Sequence, residues 1–441
     1  TKHNIARLCR GSFRFWMTVT TTGKSSDNAA TATLKRGDDL RTNLGIPKCV
    51  ASQLVVKGTP VRRLIEAISH LTVPLEMIVN HLVAGAPAWL RRLVLIRSFR
   101  FLVALHRILP VKFANRGLAD ALSIESHALS TFMWWVRLAP MTLRRLRSGL
   151  HMVSFLDLPP QCLREEAVEL PEQKVRGVYM HCAPPSVEDP PVILYFFPGA
   201  FFGGGCKDNR GFVGRYCEKL QCDAFLADYR LCPEHTIQDA YEDGCRAYEW
   251  LLTRKAPEKI IIMGVSSGGG LGLRVCQMAA TMDQTSGFRC HPVPQPAAAV
   301  LLGPFLNYCP GPNCDLDHSL NRNPEIDLVV TQRVYDFVQP RLAVACGGED
   351  KKAAMSPLFN SVDGLCPILV SYSAHEVTAD DCDQLVSNLR SKGVNAEGLV
   401  QPYQMHCFQL WPSFLPEAKQ AESDICTWIQ KQGGAWRCRA A

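Results

Sequence analysis

Two rhythms of apolar and polar positions divide the chain. From Thr59 to about Leu150, apolar residues recur every three or four positions, as in Val61, Leu64, Ile65 and Ile68, and again in Leu90, Leu93 and Val94 through Phe101, Leu105 and Ile108. That spacing keeps one face of an α-helix apolar. Pro60, Pro74, Pro87, Pro110 and Pro140 cut the stretch into several helices, because proline lacks an amide hydrogen and clashes inside a helix. From Glu165 onward the rhythm shortens. Apolar, β-branched runs occupy Val175–Met180, Pro191–Phe197, Ala224–Tyr229, Lys259–Val265, Ala298–Leu302, Pro367–Tyr372 and Gly398–Pro402. Helical patterns fall between them at Asp239–Leu252, Gly269–Ala280, Asp380–Leu389 and Pro416–Ile429. A run as continuously apolar as Ile260–Val265 reads as a strand buried on both faces. Strand–helix alternation predicts the α/β class, a mostly parallel sheet flanked by helices. The expected organisation is a disordered, targeting or linker tail over 1–57, a helical N-terminal extension over 58–160, and an α/β domain over 161–435.

Composition narrows this picture. With 441 residues, 47% hydrophobic and 20% charged, the chain is neither collagen, coiled coil nor wholly disordered. The net charge of +7 hides a split: residues 1–150 carry 23 Lys and Arg against 7 Asp and Glu, and the remainder 25 against 34. The first region is therefore attracted to anionic surfaces: one reading lays its basic amphipathic helices on an anionic membrane or a partner, ranked slightly below the packing reading that follows, and no nucleic-acid partner is expected. The alternative is that its Arg residues are simply solvated while the apolar face packs on the second region. No uncharged apolar stretch reaches the ~18–20 residues of a spanning helix; His81–Leu90 is ended by Arg91 and Arg92. Residues 1–26 hold five basic and no acidic residues with a Ser/Thr-rich end, a pattern weakly like an organelle transit peptide. The 19 Cys are scattered without CxxC or Cys/His ligand spacing, so no metal is expected. They read as small buried hydrophobes in a reducing compartment, and an intracellular location follows as the expectation.

Two segments carry candidate chemistry. Gly264-Val265-Ser266-Ser267-Gly268 matches G-x-S-x-G between an expected strand and an expected helix. In that context the serine sits on a tight strand-to-helix turn, its hydroxyl exposed at the carboxyl edge of the sheet and the helix N-terminus beside it. Upstream, the strand Ile193–Phe197 runs into Pro198-Gly199-Ala200-Phe201-Phe202-Gly203-Gly204-Gly205. Backbone amides of such a loop, with the amide of Ser267, can form an oxyanion hole. The competing idea is a phosphate-binding loop, but the segment fits neither G-K-[ST] nor G-x-G-x-x-G before a helix, which counts against nucleotide binding.

Further motifs agree in order. Tyr229-Arg230-Leu231-Cys232-Pro233-Glu234, Ser356-Pro357-Leu358-Phe359, the acidic segment Ser373–Asp381 and Met405-His406-Cys407-Phe408 follow one another along the chain. Together they resemble the α/β-hydrolases of the hormone-sensitive lipase group over about residues 165–431. The resemblance implies an α/β-hydrolase fold and a triad of Ser266, Glu376 and His406, in the order Ser, acid, His. It implies amide donors at Gly199, Ala200 and Ser267, hydrolysis of small acyl esters through an acyl-enzyme, and no cofactor. Asp380 and Asp381 are alternatives for the acid; the family spacing selects Glu376 and leaves Asp380 as a helix N-cap. His375, His235 and His291 read as packing or surface histidines, and Cys407 as a packing residue. The chain departs from the family where H-G-G-[GA] becomes Phe197-Pro198-Gly199-Ala200, although Pro198 falls at a position that is not a donor. Val265 also replaces a polar residue. The resemblance further implies a helical cap drawn from residues 59–150, with Phe132, Trp134 and Trp135 as pocket or lid residues, or else core. Amidase or deacetylase chemistry on the same triad, and a catalytically silent binding protein, are the rival functions. Oligomeric state is not legible.

Overall fold

The seven strands expected from the apolar runs, with one more ahead of them, assemble into one eight-stranded sheet. The computed structural model describes residues 88–108, 122–136, 141–153, 164–281, 293–309, 317–324 and 326–436. All of these belong to one compact unit. The strands are β1 (Arg164–Leu170), β2 (Val175–His181), β3 (Val192–Phe196), β4 (Asp223–Ala227), β5 (Ile260–Val265), β6 (Ala298–Leu302), β7 (Ile368–Ser373) and β8 (Ala396–Gln401). In the sheet order β1-β2-β4-β3-β5-β6-β7-β8, every pairing from β4 across to β8 is parallel; β2 runs antiparallel to both β1 and β4. Every residue of β3, β4, β5, β6 and β7 is buried, as a strand covered on both faces requires.

The helices are α1 (Ala88–Ile108), α2 (Ile124–Val136), α3 (Leu143–Val153), α4 (Arg210–Leu220), α5 (Ile237–Leu252), α6 (Ser267–Thr281), the short α7 (Ser319–Arg322), α8 (Gln332–Ala345), the short α9 (Lys352–Met355), α10 (Ala379–Ser391) and α11 (Pro416–Lys431). Helix α5 starts two residues before the expected Asp239 because Thr236 caps it. The Thr236 hydroxyl accepts from the Asp239 amide at 3.1 Å and the Asp239 carboxylate accepts from the Thr236 amide at 2.9 Å. Strand β1 and helices α4 and α8 were not expected. The sequence of β1, Arg-Glu-Glu-Ala-Val-Glu-Leu, is mostly exposed, and charge on an edge strand hides it from any search for apolar runs. The tail 1–57 and the helical pattern of 59–87 lie outside the described residues.

Chain order sets where a site can form. After β3 the chain moves to β4 on one side, then crosses to β5 on the other. The loops that leave the carboxyl ends of β3 and β5 therefore diverge and leave a crevice between them. The register pairs Phe196 with Gly264 and Val265 with Leu302, so the ends of β3, β5 and β6 lie level.

The N-terminal helices lie on the same edge. Phe99 and Phe132 pack with Leu102, Val103 and Ala128, and also join Leu129 to Met405, Phe408, Leu415 and Ala418. Ser123 donates from its amide and hydroxyl to the two Glu417 carboxylate oxygens, both at 2.9 Å. Phe132 is thus a packing residue between helices; the side chains of Trp134 and Trp135 are outside those described. No helix among the described residues is long and apolar enough to cross a membrane.

Candidate active site

Strand β5 ends at Val265, and Ser266 turns the chain with a left-handed backbone, φ 53°. For a serine that conformation costs energy and persists only where neighbours hold it. Here the Ser266 amide donates to Leu302 O at 2.9 Å, and its carbonyl accepts from the amides of Gly270 at 3.0 Å and Phe305 at 2.9 Å. Both glycines of the motif are forced by close passage of backbone. A Cβ on Gly264 would stand 2.1 Å from Gly268 O, and one on Gly268 2.1 Å from Phe196 O. The G-x-S-x-G spacing is thus the footprint of three chain segments crossing beneath one half-buried serine.

The loop after β8 brings in the histidine. His406 is buried, and its Nε2 lies 2.9 Å from Ser266 Oγ. On the other side of the ring, Nδ1 faces Glu376 Oε2 at 3.6 Å, beyond hydrogen-bond length, and has no hydrogen-bond partner. Glu376 is fully buried on the loop after β7. Its Oε1 accepts from the Thr378 hydroxyl at 2.7 Å and its Oε2 from the Ser373 amide at 3.4 Å. Burial disfavours the His406 imidazolium, but Cys407 and Glu376 oppose that penalty and hold it well above the ordinary histidine range. The Cys407 thiol is itself pushed up by burial, while the neighbouring His406 pulls it the other way.

The other candidates are engaged elsewhere. Asp380 accepts from the Ser319 amide at 2.8 Å and pairs with Arg322 at 3.1 Å; the N-cap of α10 is Thr378, not Asp380 as expected. The cap falls earlier because the helix already begins at Ala379. Asp381 pairs with His318 at 3.4 Å. His375 Nδ1 accepts from the Tyr403 amide at 3.0 Å, His235 is exposed, and His291 lies outside the described residues.

The loop after β3 has positive φ at Gly199 (141°), Ala200 (54°) and Phe201 (67°), and closes with Phe202 N and Gly203 N donating to Gly199 O at 3.0 and 3.1 Å. Ser267 is the first residue of α6, where an amide has no partner within its helix. Phe197, standing where the resembled family has histidine, is fully buried and stacked on Tyr229 at 4.0 Å, with 10° between the rings. The Tyr229 hydroxyl donates to Phe197 O at 2.6 Å, so stacking and one hydrogen bond fix the loop without the histidine. Helix α3 braces it from above: Arg147 donates to Phe202 O at 2.9 Å and Cys232 O at 3.1 Å, and pairs with Glu234 at 2.6 Å. Leu150 lies directly against Gly199 and Gly203.

The structure adds one residue that the sequence did not single out. Asp327 is fully buried, and its carboxylate accepts from the backbone amides of both His406 and Val377. Nothing in the run Ile326-Asp327-Leu328 marks it. Its distant partners do, and those exist only once the chain is folded. Among the described residues, no group of three or more His, Cys, Asp or Glu side chains is placed to hold a metal ion.

Comparison with known proteins agrees with this geometry. A family profile described as the alpha/beta hydrolase fold matches residues 193–410. Carboxylesterase/phospholipase LipF of Mycobacterium tuberculosis is 30% identical over 244 residues, 54% of this chain and 61% of LipF, so the chain spans about three-fifths of that relative. Esterase LipU of the same organism is 28% identical over 284 residues, 63% of this chain and 90% of LipU. Among solved structures, an esterase from the bacterial hormone-sensitive lipase family superposes with a TM-score of 0.61 at 26% identity, covering 71% of this chain and 99% of its own. An esterase/lipase from an uncultured bacterium gives 0.59 at 27%, covering 70% and 98%. Sheet order, serine turn and these likenesses converge: the chain carries an α/β-hydrolase domain, similar in sequence to carboxylesterases and in structure to an esterase of the bacterial hormone-sensitive lipase family.

Proposed function

We propose that the protein is a serine carboxylesterase that cleaves small to medium uncharged acyl esters through an acyl-enzyme. The observation that carries the reading is the 2.9 Å approach of His406 Nε2 to Ser266 Oγ on a left-handed turn at the end of β5. Ser266 Oγ bonds to the acyl carbon as its proton passes to His406 Nε2. The ester C–O bond then breaks, and the alcohol leaves with that proton. Water follows the same route: His406 takes its proton, the acid departs and Ser266 is restored. Glu376 orients the ring and stabilises the imidazolium, its 3.6 Å separation closing as charge develops. Amides of Gly199, Ala200 and Ser267 serve as donors to the oxyanion. No step draws on a metal or cofactor.

The retained serine–histidine contact favours turnover over a silent binding protein. A serine-directed fluorophosphonate probe and a p-nitrophenyl ester chain-length series test the reading together. Wild type should be labelled and should hydrolyse short chains. Ser266→Ala should lose labelling and on the order of 10³-fold or more of kcat/KM. A folded wild type that does neither would refute it.

A second reading concerns the surface of α1. Its outer face exposes Phe101 (67%), Leu93 (41%) and Val94 (38%) beside exposed Arg97 and Arg100, and no acidic residue occurs between Ala88 and Ile108. An anionic lipid surface complements both the charge and the apolar groups. All the described cysteines but Cys309 are buried, which fits their use as small apolar side chains and supports an intracellular setting.

A further inference from the structure

Asp327 is a fully buried carboxylate outside the triad, and every hydrogen bond it receives comes from a backbone amide. Oδ1 accepts from Val329 at 3.0 Å, Val330 at 3.2 Å and His406 at 3.3 Å; Oδ2 accepts from Val377 at 3.1 Å. The first two bonds fold its own loop. The other two reach the histidine itself and the residue that follows Glu376. The same loop holds Glu376 from the other side, since Asn323 Nδ2 donates to Glu376 O at 2.9 Å and Asn323 O accepts from the Asp327 amide at 2.8 Å. The backbone of Glu376 is thus bracketed, carbonyl by Asn323 and following amide by Asp327.

We infer that Asp327 is a positioning residue, locking the loop of Glu376 to the loop of His406 through one carboxylate and keeping a second negative charge beside the imidazole. The inference rests on the triad reading above. Four backbone N–H donors converge on the two Asp327 oxygens, and each of these bonds favours the ionised carboxylate. Burial, helped by the Glu376 charge, raises Asp327 above the ordinary aspartate value, although the His406 charge and the Val377 and Val330 amides pull the other way. The side chains acting on His406 are Ser266 at Nε2, Glu376 at Nδ1, Cys407 beside it and Asp327 behind its backbone. A neutral amide cannot replace the carboxylate. With its oxygen toward His406, the Asn nitrogen would face the Val377 N–H; flipped, it would face the amides of Val329, Val330 and His406.

The test is a pH profile of p-nitrophenyl butyrate hydrolysis by the full chain, wild type against Asp327→Asn, with thermal melts as a fold check. The expected result is kcat reduced about tenfold or more from a loosened histidine, with KM within about twofold. The acid-limb inflection should fall by about half a unit or more, because an anion that favoured the imidazolium is gone. A merely structural role would lower stability and leave that inflection in place, and that result, or an unchanged kcat, overturns the inference. Asn323→Ala keeps the charge and loosens only the bracket. It should lower kcat severalfold without moving the inflection, and full kcat there overturns the inference even if Asp327→Asn does not fold. An inactive, unlabelled wild type would instead sink the triad reading and this inference with it, whereas an active wild type with an indifferent Asp327→Asn sinks the inference alone.

Discussion

Ser266 and His406 meet because two local strains are held by distant neighbours: a left-handed serine tied to β6, and a histidine whose amide and ring are fixed by different loops. The charge around the ring has a measurable consequence. A base must be neutral, and His406 is held above the ordinary 6.5. Activity should therefore rise with pH, with an acid-limb inflection in kcat/KM above 6.5; one at or below that value contradicts the burial and charge pattern described. Stability runs the other way. A raised histidine pKa stabilises the fold fully below the unfolded value, and that contribution is lost as pH rises through the folded one. At this scale Ser266, Glu376 and His406 were legible because each sits in a short motif with fixed order. Asp327 was not, since its role is defined by amides 50 and 79 residues away.

Elements were legible where apolar positions keep a rhythm and hidden where charge or glycine breaks it. Strands β3 to β7 declared themselves as apolar runs, while β1 is charged and α4 carries glycines at positions 211 and 214 within a helix. What seats α4 is a tertiary ion cluster. Glu422 of α11 is fully buried and accepts from Arg215 at 2.7 and 2.9 Å and from Lys219. Burial alone would raise the Glu422 carboxyl, but the two cations more than offset it and hold it below the usual range. Glu422→Gln should destabilise the protein by about 2 kcal/mol, seen as a lower urea midpoint at unchanged slope. Because the folded pKa is depressed, the stabilisation is present above the unfolded carboxyl value and fades as pH falls through the folded one. The gap between wild type and variant should therefore narrow in acid; a constant gap would mean packing, not charge, joins the helices.

Across the whole molecule, chain order puts the crevice between β3 and β5, and the N-terminal helices cover the same edge. The basic excess of the first 150 residues then has a surface to act on, the outer face of α1. Vesicles containing phosphatidylserine should sediment the protein, less so in high salt. Arg97→Glu with Arg100→Glu should weaken that binding at least about tenfold, and Phe101→Ala should weaken it as well. Equal binding to neutral vesicles, or none to either, would remove this reading. The sequence by itself determined the α/β class, the parallel core and the serine turn. A strand covered on both faces must be apolar throughout, and backbone that passes within 2.1 Å of a would-be Cβ must carry glycine. Tertiary structure alone decided that Phe197 can replace a histidine by stacking on Tyr229, and that Asp327 joins two loops. Those choices depend on contacts between residues far apart in the chain, as distant as the 79 positions between Asp327 and His406, and such contacts leave no local spacing to read.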